Sequence, residues 1–164
     1  MTYYWDLEMG PLRPVLARIG RREGLALAIR VIGWTVERME PIKTVAARDW
    51  ITTAMVAGRE AVAAGRERPE FPVELVSSFG EVQADADDEA GVHSVLTALI
   101  ACEEAPAGLS GEVVYGILDF CYQAIRDREE LPEWNPETES SNWRCTEAIA
   151  FEKRCIREAR ATSI

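Results

Sequence analysis

Apolar positions recur at helical spacing along most of the chain. Leu25, Ile29, Ile32 and Val36 fall three or four residues apart, with Ala26, Gly33 and Trp34 beside them, and define a helix that stops at Pro41. Upstream, Pro11 and Pro14 punctuate the start of a helix reaching about residue 22, and Gly24 reads as the break between the two. Thr44 is placed to cap a third helix, on which Val45, Ala46, Trp50, Ala54 and Ala61 form a narrow stripe as far as about residue 64. Its many alanines imply close packing. Residues 65–72 hold two prolines among charges and read as a loop, followed by a short helix over 73–79.

Residues 80–88 are acidic and poor in apolar side chains, which predicts an exposed connection. Asp87 or Asp88 would cap the next helix, whose stripe is Val92, Val95, Leu96, Leu99 and Ile100. Pro106 and Gly108 end that helix. Ser110 and Glu112 open another, with Val113, Val114, Ile117, Leu118, Cys121 and Ile125 inside. Residues 132–141 form a polar loop carrying Trp134 and Pro136, and a last helix runs from about 141 to 160 over Cys145, Ala148, Ile149, the stem of Glu152, Cys155 and Ile156. No run sustains polar and apolar alternation, the nearest being 73–76 and 113–115, so no sheet is expected. The pattern predicts an all-α fold, a single-domain bundle of six or seven helices over residues 1–164.

Composition agrees with one folded domain: the chain has 164 residues, 48% of them hydrophobic, and that length suffices for a real core. The longest apolar stretch, 92–102, falls far short of the roughly 20 residues that cross a bilayer, and the N-terminus lacks the basic and apolar segments of a secretory signal. A cytoplasmic protein is expected. Cys102, Cys121, Cys145 and Cys155 are widely separated within or beside apolar stripes, which favours buried reduced thiols.

Charge changes the picture more. Residues 1–68 carry 11 basic and 8 acidic side chains, residues 69–141 carry 2 and 17, and residues 142–164 carry 5 and 3. The net charge of −10 is therefore confined to the middle segment, which alone holds −15. Such a segment repels nucleic acid and anionic lipid and favours encounter with a basic partner. The bland alternative is that these carboxylates only solvate exposed faces.

Candidate chemistry is sparse. His93 is the sole histidine, so a histidine-rich metal site is excluded, and the Glu-x-x-His pairs of di-iron bundles do not occur. A capping or ion-pairing role suits Glu89 and His93 better than ligation. Asp85, Asp87, Asp88 and Glu89 look like an aspartate-rich magnesium motif, but no second such motif and few basic residues accompany them. Neither Gly-x-Ser-x-Gly nor a phosphate-binding loop is present. No catalytic residue, metal or cofactor is assigned. Trp134 and Trp143 flank a loop containing Glu133, Glu137 and Glu139, a composition suited to a protein interface, with the aromatics as anchors and the acids as a steering rim. Alternatively, the two indoles pin that loop to the bundle.

Glu37-Arg38-Met39 followed by Pro41, the acidic approach to Gly91-Val92, Leu109-Ser110-Gly111-Glu112 at a helix start, and a last helix reached through Asn135-Pro136 and Trp143 together resemble the bacterial YjaG-like family of small helical proteins. The resemblance spans most of the chain after residue 25, while the alanine-rich third helix and the shorter length depart from it. It implies a helical fold and supplies no catalytic residue, because that family has no assigned chemistry.

The expected function is therefore non-catalytic binding: an immunity protein or antitoxin that neutralises a basic toxin domain. Its contact residues would be Asp85, Asp87, Asp88, Glu89, Glu133, Trp134, Glu137, Glu139 and Trp143. The competing expectation is a stand-alone helical protein with a housekeeping role, for which a homodimer is compatible.

Overall fold

The computed structural model describes residues 3–162. Its elements are α1 (Tyr4–Met9), a 3-10 turn (Gly10–Leu12), α2 (Arg13–Leu16), α3 (Arg21–Met39), α4 (Val45–Ala63), α5 (Val73–Asp85), α6 (Val92–Glu104), α7 (Gly111–Asp127), α8 (Pro136–Ser140) and α9 (Trp143–Thr162). The chain is all-helical, with no strand among the described residues. Among those residues, six helices of 13 to 20 residues carry the fold. Three short pieces of four to six residues take the number beyond the six or seven expected. The extra pieces have local causes: Pro11 and Pro14 divide the first helix, and Pro136 starts α8 inside the segment expected to be a loop.

α7 lies at the centre, packed on α2, α3, α6 and α9. Its stripe of Val114, Ile117, Leu118, Cys121 and Ile125 is buried, as the periodicity predicts. One apolar core joins these residues to Leu25, Ile32, Leu96, Leu99 and Ile156 from the surrounding helices. The four cysteines are buried free thiols within it. No helix among the described residues is long and apolar enough to cross a membrane.

Gly24 does not break the chain. It is buried within α3, where a Cβ would stand 2.8 Å from the Leu109 carbonyl oxygen and 3.3 Å from Val114 Cγ2. Glycine there permits close approach of the α6–α7 connection, and the actual break lies upstream at 17–20. The acidic stretch 80–88 is likewise not all connection, since α5 continues through Asp85. Trp50 docks α5 on α4, its Nε1–H donating to the Leu75 carbonyl at 2.8 Å and its ring meeting Phe71 and Phe79 at 6.1 and 5.5 Å, and the buried Val82 holds the later turn of the helix against the core. Only Leu75 and Val82 of α5 are buried, so the helix stays peripheral.

Neither Asp87 nor Asp88 caps α6. Gly91 is the N-cap residue at φ +82°, and a Cβ on it would stand 2.4 Å from the Ala124 carbonyl oxygen. The turn before α6 is thereby pressed against the end of α7.

Candidate interaction surface

The connection between α7 and α9 is fixed from within by polar side chains. Asn135 caps α8 by accepting from the Thr138 N–H at 2.9 Å, and Asn142 caps α9 by accepting from the Arg144 and Cys145 N–H groups at 3.0 Å. Asn142 also donates to Glu129 Oε1 at 3.1 Å, tying the start of α9 to the end of α7. Between these caps Glu139 turns inward and is 0% exposed. The Tyr122 hydroxyl donates to its Oε1 at 2.6 Å, and Arg126 Nη1 lies 3.9 Å from the same atom. Burial, with the hydroxyl's hydrogen bond to Glu139, pushes the Tyr122 pKa far above its usual value.

Glu139 was expected at a partner surface, and burial removes it. The indoles show the opposite displacement. Trp134 is 51% and Trp143 64% exposed, so neither pins the loop by insertion. Each lies beside a guanidinium instead, Arg126 at 4.0 Å from the Trp134 ring centroid and Arg144 at 4.8 Å from that of Trp143. Glu133 and Glu137 are exposed beside them, with Glu133 accepting from Asn135 Nδ2 at 2.9 Å. The result is two half-exposed indoles, each with a guanidinium over its ring, on an acidic segment.

The second acidic group divides. Asp85, Asp87 and Asp88 are exposed at the end of α5 and in the following turn. Glu89 is committed within the protein: its two oxygens accept from the Lys43 and Thr44 backbone N–H groups, both at 2.8 Å, and Arg128 Nη2 lies 3.2 Å from Oε2. Thr44, the expected cap of α4, makes no side-chain cap bond, and Glu89 supplies the acceptor at that helix start from across the fold. Partial burial works to raise the Glu89 pKa, but the N–H donors and the guanidinium outweigh it and hold the carboxyl at about 2. Glu89 thus caps a distant helix and has no pairing with His93, while its bond to Arg128 brings the Asp87–Asp88 turn against the end of α7, where the Trp134 segment departs.

One buried acid was visible in the sequence only as an apolar stem. Glu152 is 1% exposed, and Trp5 Nε1–H donates to its Oε1 at 2.8 Å. Burial raises its pKa well above the carboxylate range. Among the described residues, no three His, Cys, Asp or Glu side chains converge as a metal-ligand set. Comparison of the chain with protein-family models, with curated proteins and with solved structures finds no match.

Proposed function

We propose that this chain is a non-catalytic binding protein of the immunity or antitoxin kind, which neutralises a basic partner through the surface around Trp134 and Trp143. The observation that carries this reading is the exposure of both indoles on a segment that buried Glu139 and the two asparagine caps also attach. The Arg126 guanidinium over the Trp134 ring still leaves about half of that indole in solvent. Exposed aromatics rimmed by carboxylates have the composition of interface hot spots. Glu133 and Glu137, with Asp85, Asp87 and Asp88 on the neighbouring turn, would steer a cationic partner. The test is affinity capture from the native cell by the wild-type chain and by a Trp134→Ala, Trp143→Ala variant. The reading expects a basic protein that is retained by the wild type, released by salt and lost in the variant; equal recovery by both chains contradicts it.

A second reading, a homodimeric stand-alone protein of the YjaG-like kind, draws on a different face. Val45 and Val56 of α4 and Val73 of α5 are exposed, Val73 to 79%. Sedimentation across a concentration series separates the two: self-association abolished by Val73→Glu favours the dimer, and a monomer throughout favours the first reading.

A further inference from the structure

We infer that α1 is a proton-controlled latch, closed over Glu152 while that carboxyl holds its proton and released from the core when the proton leaves. Glu152 lies on α9 with 1% of its surface exposed, and Trp5 of α1 donates its Nε1–H to Oε1 at 2.8 Å. The indole is itself 1% exposed, so donor and acceptor are both withheld from water. No cation lies within ion-pair distance of Glu152 among the described residues. Around it stand Asp119 and Cys121 of α7 and Cys155 of α9, near enough for their charges to act on one another, and α3 sets the Thr35 hydroxyl beside Cys121. The basic side chains of the helices packed on α9 are engaged elsewhere, Arg13 with Glu112, Arg30 with Glu158, Arg126 with Asp127 and Glu139, and Lys153 of α9 itself with Glu8.

Ionising Glu152 in place sets an uncompensated charge in the core beside a second acid, which burial strongly opposes. Water relieves that charge, and α1 is the element whose movement admits it. Of its side chains Trp5 and Met9 are buried. Its polar attachments lie nearer the surface, Asp6 accepting from the Tyr115 hydroxyl at 3.3 Å and Glu8 from Lys153 Nζ at 2.6 Å. The proline-bearing turn Gly10–Leu12 and the four-residue α2 separate α1 from α3, so its release leaves the packing of α3, α6, α7 and α9 on one another in place. Small elements with few buried contacts open in this way without global unfolding. Linkage sets the response: above the roughly 4.3 of a hydrated glutamate, the open form gains about tenfold on the closed form per pH unit, until the raised pKa of the closed form is reached.

The experiment is hydrogen exchange of the full chain followed by NMR, with opening constants taken at the Trp5 indole N–H and at the backbone N–H of Leu118 in the middle of α7 after the intrinsic exchange rate is divided out. The latch predicts that opening at Trp5 exceeds opening at Leu118 and rises about tenfold per unit from about pH 5 toward 7. In Glu152→Gln, which keeps an acceptor for the indole and cannot ionise, opening at Trp5 should be independent of pH. A flat profile at Trp5 in the wild type, the wild-type slope persisting in Glu152→Gln, or equal opening at Trp5 and Leu118 would overturn the latch. The carboxyl carbon shift of Glu152 in the wild type gives a second reading that needs no variant: a protonated group at about pH 5 is expected, and an ionised one contradicts the proposal.

Discussion

The Tyr122 hydroxyl donates a 2.6 Å hydrogen bond to Oε1 of Glu139, a carboxylate with no exposed surface, and so joins α7 to α8 from inside the fold. Removing the hydroxyl leaves that acceptor without its closest donor. Tyr122→Phe is expected to destabilise the protein by about 1–3 kcal/mol, the cost of a buried polar group deprived of its partner. Urea unfolding measures this, and a change indistinguishable from zero would mean that the α8 segment is held by its caps alone.

Glu89 makes stability sensitive to acid. Its folded pKa, about 2, lies below the roughly 4.3 of an unfolded glutamate, so its contribution is present above about pH 4.3 and is lost as pH falls toward 2. Glu89→Gln should cost about 1–2 kcal/mol at neutral pH, as loss of a helix cap does, and flatten the acid limb of the stability curve. Chemical denaturation of both chains from neutral to acid pH checks the sign.

Glu152 acts in the other direction. Burial raises its folded pKa, so the folded state holds its proton more tightly than the unfolded chain, and stability falls as pH rises above the unfolded value of about 4.3. Glu152→Gln keeps an acceptor for Trp5 and removes the ionisable group. It should stabilise the protein at neutral pH by about 1 kcal/mol or more, with the gain vanishing in acid. A destabilised variant at neutral pH would show that the carboxylate is charged and favourably paired.

The thiols should be inert until the fold opens. Burial pushes Cys102 up to about 12 and Cys155 up to about 11, leaving little thiolate near neutral pH. Reaction with a thiol reagent is therefore expected to be slow in the native protein and complete at all four cysteines in denaturant. Fast labelling of any one in native buffer would locate a local opening.

Residue spacing carried the interior of α7 and α6, because a buried stripe is written in the helix that bears it. It failed where one element depends on another. Gly24 resembles a breaker in sequence, and only the Leu109 carbonyl beside it gives the reason for glycine. Glu139 and Trp134 are inverted relative to their hydropathy, since the partners that draw Glu139 inward, Tyr122 and Arg126, sit on a different helix. Glu89 caps a helix more than forty residues upstream, which no local pattern announces. The exposed Asp85, Asp87, Asp88, Glu133 and Glu137 were legible because carboxylates that no buried partner draws inward stay in water.

The most direct measurement of the central proposal is the affinity of the captured basic partner for the wild type, Trp134→Ala and Trp143→Ala chains by calorimetry at low and high salt. Hot-spot indoles predict a loss of about 2 kcal/mol or more for at least one substitution, together with weaker binding at high salt. Affinity unchanged in both variants, or indifferent to salt, would contradict the acidic aromatic surface as the place where the partner binds.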